Sequence, residues 1–112
     1  MSLSEQQRQF SAIVGLLLHY LPILSSQLGH SYEVTLGDAF SKAEFAVHSL
    51  NSFHYKRLAI DLNLFIDGIY QTTTEAHKPL GEFWQLIGGS WGGLFPRKDG
   101  NHYSLNEEEE EL

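Results

Sequence analysis

The chain has 112 residues and no cysteine. That absence excludes disulfides, thiolate metal sites and a cysteine nucleophile together, and leaves the redox compartment open. No cluster of lysine and arginine interleaved with aromatics is present, which argues against nucleic-acid binding. The N-terminal stretch Met1 to Arg8 is polar and lacks the basic-then-apolar order of a secretory signal. The apolar stretch from Ile13 to Leu24 is short for a bilayer and is interrupted by His19 and Pro22. These features lead to the expectation of a protein made and kept in a cytoplasm, without membrane insertion, that reaches any external substrate by another route. No internal repeat is visible.

What is present describes a packed domain. Hydrophobic residues make up 42% of the chain and aromatics 12%, enough for one core and too much for a disordered chain. The length suits a single domain. The formal charge is -7, and the run Glu107 to Glu111 carries much of it. That run reads as a solvated, disordered tail over 106–112, leaving a mildly acidic domain over 1–105.

Periodicity predicts the elements. Ser4 and Gln7 have capping-box spacing. Phe10, Ile13, Val14, Leu17, Leu18, Leu21 and Leu24 then share one helix face. Pro22 lacks an N–H and predicts a kink or stop near Leu18 to Leu21. Gly29 marks the helix end. Tyr32 to Leu36 alternates like a strand, and Ser41 to Leu50 has the pattern of a short helix. Leu58 to Phe65 alternates again, with Leu58, Ile60, Leu62 and Leu64 on one face and Ala59, Asp61 and Asn63 on the other. Asp67-Gly68 is a type I′ hairpin signal, with Ile69 to Gln71 as the returning strand. Thr72 to Lys78 reads as a polar loop. Pro79 opens a helix carrying Phe83, Trp84, Leu86 and Ile87. Gly88-Gly89 ends it, and Trp91 to Phe95 is turn-rich. The sum is a small α+β domain, an antiparallel sheet packed with helices.

The chemistry-bearing residues gather around the second strand. Asp61 lies between Ile60 and Leu62 in a core strand, where a carboxylate needs a partner to offset its desolvation. His54 precedes that strand, and an imidazole and a carboxylate so placed make two fixed metal ligands. A catalytic zinc site needs three protein ligands and one open position. His102 is a candidate third, with Asp99 placed to stand beside the metal-bound water. The alternative readings are a hydrogen-bonded histidine at a strand start for His54, and an ordinary Asp-Gly-Asn turn for Asp99 to His102. Trp84 and Trp91 read as core or cleft wall. His19, His30, His48 and His77 read as surface residues. Asp38 reads as a cap for the following helix or as a tether for the loop of the site.

The ordered phrases Val34-Thr-Leu-Gly-Asp-Ala-Phe40, Asn51-Ser-Phe-His54, Leu58-Ala-Ile-Asp-Leu-Asn-Leu-Phe65, Pro79-Leu-Gly-Glu-Phe-Trp84, Gly88-Gly-Ser-Trp-Gly-Gly93 and Asp99-Gly-Asn-His-Tyr-Ser104 resemble the M15 peptidases. This family includes zinc D-Ala-D-Ala carboxypeptidases and phage endolysins that act as L-alanyl-D-glutamate peptidases on peptidoglycan. The resemblance runs from the first helix to Ser104 and implies a Hedgehog/DD-peptidase-like fold. It implies that His54, Asp61 and His102 bind Zn2+, that Asp99 is the general base, and that the substrate is a peptidoglycan stem peptide, acted on by a monomer. Phage-type members carry a Tyr-Arg pair where this chain has Phe40-Ser41. That arginine resembles a clamp for a substrate carboxylate or oxyanion, a charge Ser41 cannot supply. Lys42, Arg57 or Arg97 are the candidate cations to take its place.

Overall fold

The computed structural model describes residues 1–39 and 56–105. The expected helix over Ser41 to Leu50, the residues His48 and His54, and the acidic tail lie outside these. Within them, the helix α1 (Leu3–Leu28) and α2 (Lys78–Leu86) pack on five strands: β1 (Tyr32–Leu36), β2 (Ala59–Ile66), β3 (Ile69–Tyr70), β4 (Gly89–Trp91) and β5 (His102–Leu105). Two single 3-10 turns, Glu75–His77 and Gly92–Leu94, precede α2 and follow β4. All strand pairings are antiparallel, in the order β1-β2-β5-β4. β5 pairs with the start of β2 and β3 with its end. This is the α+β architecture that the alternating and helical patterns predict.

α1 departs from expectation at both ends. Its capping box uses Ser2 and Glu5 rather than Ser4 and Gln7: the Ser2 hydroxyl accepts the Glu5 N–H at 3.1 Å, and Glu5 accepts the Ser2 N–H at 3.2 Å. The two spacings are identical, and the choice went to the pair nearer the N-terminus. Pro22 neither stops nor ends the helix, which runs on to Gly29 in the left-handed region (φ 73°). A proline inside a helix costs about 3 kcal/mol. Here Leu17, Leu21 and Leu24, on both sides of it, are buried in the core, and that burial outweighs the lost bond. Because it is uninterrupted, α1 has the length and composition of a membrane-crossing helix. Its apolar stripe nevertheless has a role in this fold, since Phe10, Ile13, Leu17, Leu21 and Leu24 are all buried.

Those side chains meet one face of β2. Leu58, Ile60, Leu62 and Leu64 are each at most 5% exposed and share a core with Leu80, Trp84, Trp91, Tyr103 and Leu105. Trp84 is the hub. Its ring meets Phe10 and Tyr103 edge-on, at 6.0 and 5.8 Å between centroids. Its indole N–H donates to the carbonyls of Ser104 and Ser90, at 2.9 and 3.1 Å, tying β5 to β4. The hairpin after β2 is as expected: Asp67 and Gly68 both have positive φ, 52° and 79°, as a type I′ turn demands. The Asp67 carboxylate accepts the Ser31 N–H at 2.8 Å and meets His30 at 2.6 Å. These bonds hold its carboxyl below the usual aspartate range.

Gly81 and Gly89, like Gly93, are required by the indoles rather than by the backbone. A Cβ on Gly89 would lie 2.0 Å from Trp84, and one on Gly81 would lie 2.1 Å from Trp91. Gly89→Ala and Gly81→Ala are each expected to cost about 1–3 kcal/mol by overpacking, visible as a lowered melting temperature. Gly15 is exposed within α1 with nothing near its missing Cβ. Gly15→Ala should therefore stabilise by about 0.5–1 kcal/mol. Equal melting temperatures across the three variants would contradict this assignment of close contacts.

Candidate metal centre

Asp61 and His102 face one another because of strand register. β2 and β5 pair antiparallel with Asp61 directly opposite His102, which sets their Cβ atoms about 4.5–5.5 Å apart. The same alternation that sends Ile60 and Leu62 into the core sends Asp61 to the opposite face. Partner residues on β5 divide in the same way: Tyr103 is in the core and His102 lies beside Asp61. The Asp61 backbone is held on the edge of β2 that faces β1. Its N–H donates to the Asp38 carbonyl at 2.9 Å and its carbonyl accepts the Gly37 N–H at 2.8 Å. The Asp38 main chain is thus bonded to β2 at the site; the helix it would cap lies outside the described residues.

Asp99 joins them through a tight turn. The His102 N–H donates to the Asp99 carbonyl at 3.1 Å, and the Asp99 N–H donates to the Gly92 carbonyl at 2.9 Å. The Trp91 indole donates to the Gly100 carbonyl at 2.7 Å, so a core side chain locks the turn from within. A Cβ on Gly92 would lie 2.1 Å from the Asp99 carbonyl and 2.8 Å from the His102 Cβ, which is why the backbone there must be bare. The Phe95 ring covers the His102 imidazole at 5.3 Å between centroids.

The outcome is one ligand atom from each of Asp61, Asp99 and His102, all within 4.8 Å of one another. His102 is 5% exposed, Asp61 is partly buried, and Asp99 is at the surface. The His102 Nδ1 and Asp61 Oδ1 are 4.0 Å apart, beyond hydrogen-bond distance and close to the spacing of two ligands on one ion. The His102 imidazole and the Asp61 carboxylate are ligand types that suit a divalent ion of borderline softness such as zinc, with the Asp99 carboxylate within reach of the same point. The donor set therefore fits the metal. The structure brings together Asp61, His102 and Asp99 of the four residues singled out in the sequence; His54 lies outside the described residues, as do Ser41 and Lys42. Arg57 and Arg97 are exposed.

One histidine expected at the surface is in the core. His77 is buried, 3% exposed, rather than on the surface. Its Nδ1 lies 2.8 Å from the Tyr103 hydroxyl, and burial lowers its pKa to about 4. The same burial pushes the Tyr103 hydroxyl upward. The pair is neutral at physiological pH. Nothing in the local pattern Thr-Glu-Ala-His marks it, because its partner is 26 residues away.

Next to Asp99 opens a cleft of about 240 Å³. Thr72, Thr73 and Thr74 form one wall and Lys98 to Asn101 the other, with His77 and Leu62 below. In the sequence Thr72 to Lys78 reads as a polar loop, and Asp99-Gly-Asn as a turn that carries the candidate base; nothing there marks a cleft between them.

A family model described as D-alanyl-D-alanine carboxypeptidase, from the M15 peptidases, matches residues 46–105, just over half of the chain. The matched segment contains His54, Asp61, Asp99 and His102. No curated protein matches. M15 peptidases are zinc-dependent, in agreement with the donor set at the β2–β5 register. The chain belongs to the M15 metallopeptidase family.

Proposed function

We propose that the protein is a zinc-dependent peptidase that hydrolyses peptidoglycan stem peptides as an endolysin-like L-alanyl-D-glutamate endopeptidase. The observation that carries the peptidase reading is the convergence of Asp61, Asp99 and His102 within 4.8 Å inside the segment matched by the family. Asp61 and His102 would hold the ion, with His54 as the third ligand. Zinc when bound supplies a Lewis acid and lowers the pKa of its water to roughly 7.

The protein's own groups do the rest. Asp99 is exposed while its backbone is pinned to Gly92 and His102, so its carboxylate is both reachable and positioned. It accepts a proton from the attacking water and returns it to the leaving amine, as general base and then general acid. Phe95 and the core beneath His102 keep bulk water from one side of the site. The β2–β5 pairing prevents Asp61 and His102 from separating, which lessens the reorganisation needed as charge develops.

A second reading, cleavage of a terminal D-Ala-D-Ala bond, is favoured by the description of the matching family model. Either substrate lies in the cell wall, so a protein retained in the cytoplasm would act after release. Purified peptidoglycan incubated with the protein and analysed by mass spectrometry separates the readings. Release of peptides that stops on chelation, with a new N-terminal D-glutamate, is the expected result. Release of D-alanine alone would select the carboxypeptidase reading. No release by folded, zinc-loaded protein would leave a member that binds metal or wall peptide without cutting.

A further inference from the structure

The cleft beside Asp99 has features of a built site that the chemistry above does not use. Asp99 belongs both to the metal cluster and to the cleft wall, so anything held there adjoins the reacting centre. The walls are fixed relative to one another. Gly100 packs so closely on Thr74 that a Cβ would lie 2.5 Å from the Thr74 Cα, and the Trp91 indole holds the Gly100 carbonyl. On the opposite wall, the Thr73 hydroxyl accepts the Ala76 N–H at 3.2 Å and the Thr74 carbonyl accepts the His77 N–H at 3.0 Å.

The lining has a definite chemistry. Hydroxyls of Thr72 to Thr74 and the amides of Gln71 and Asn101 offer donors and acceptors for a peptide backbone. Its volume is below the roughly 300–1,000 Å³ of sites for whole ligands, which suits one or two small residues. Lys98 is the basic side chain there and Asp99 the acidic one, while burial keeps His77 neutral. Asp99 faces the reaction. Lys98 puts a cation on the wall of a cleft in a protein of net charge -7, where a carboxylate would otherwise be repelled.

We propose that this cleft is the subsite for the carboxylate-bearing residue of the peptide substrate, and that Lys98 is the specificity-determining residue that receives the carboxylate. This deepens the peptidase reading and rests on it for the identity of the substrate. The ammonium pairs with the carboxylate through a charge-assisted hydrogen bond while the threonine wall bonds the adjoining amide. Small side chains fit between the walls and bulky ones do not.

The test uses binding, so that it does not depend on turnover. Zinc-loaded, 15N-labelled protein is titrated with D-alanyl-D-alanine and with its C-terminal amide, and the amide resonances are followed. The free acid is expected to shift residues 71–74 and 98–101 and to bind roughly fivefold more tightly than the amide, the scale of an exposed ion pair. Lys98→Gln should abolish that preference with zinc stoichiometry unchanged. In any substrate that is cut, it should raise KM and leave kcat alone. Shifts confined to other segments, no binding of either probe, or an undiminished preference in Lys98→Gln would each overturn the proposal. Cleavage of wall peptide without the preference would sink the subsite and spare the peptidase. The preference without cleavage would do the reverse.

Discussion

Asp99→Asn is expected to abolish most peptide release while the protein stays folded and loaded with zinc. Asparagine keeps the shape of the side chain and its place in the turn, which is set by main-chain bonds to Gly92 and His102. It cannot accept a proton. Loss of a general base typically costs about 10²- to 10⁴-fold in rate, with KM little changed because the metal ligands and the cleft walls remain. His102→Ala should fail differently. It removes the buried imidazole proposed as a ligand, 5% exposed, and is expected to lower zinc stoichiometry first and activity as a consequence. Rate and bound zinc, measured side by side on the two variants, decide the roles. Loss of zinc from Asp99→Asn matching that from His102→Ala would make Asp99 a ligand and remove it as the base.

The second large effect is on stability, through His77. The folded-state pKa is about 4 against an ordinary 6.5, and burial is the cause. Protonation therefore favours the unfolded chain. The contribution is fully present above about pH 6.5, is lost progressively as pH falls toward 4, and changes little below that. A shift of this size corresponds to about 3 kcal/mol, a large part of the 5–15 kcal/mol that holds a typical domain together. Denaturant unfolding at pH 7 and pH 4 should show that loss in the wild type. His77→Gln retains a hydrogen-bonding partner for Tyr103 and does not titrate in this range. It should be less stable at pH 7, and its loss between pH 7 and pH 4 should be smaller by about the same amount. An identical pH dependence in the two proteins would rule out His77 as the acid-sensitive group. Tyr103 is in the core and adjoins His102 on β5, so acid conditions should loosen the site as well as the fold.

Much of this protein is determined by local pattern. The two-residue alternation of Leu58 to Leu64 put β2 in place and separated Asp61 from the core. The period of Phe10, Ile13, Leu17, Leu21 and Leu24 specified the buried face of α1. Asp67-Gly68 specified its turn because few residue pairs adopt two positive φ angles. The candidate ligands were legible for a related reason: an acid on a core strand requires a partner wherever the rest of the chain goes.

What tertiary structure alone decided involves distance along the chain. The helix passes through Pro22 because burial on either side of it outweighs one lost hydrogen bond, and that burial exists only when β2 and α2 are present. No local pattern marks β5 as a strand, because its partners, β2 and β4, supply the pairing that four residues cannot specify themselves. His77 is buried only because the fold brings Tyr103, on β5, against it. The cleft beside Asp99 exists because Gly100 and Thr74, 26 positions apart, meet with no side chain between them. Composition and period act over a few residues and were visible in the sequence; burial, register and the approach of two backbones are properties of the assembled sheet and helices.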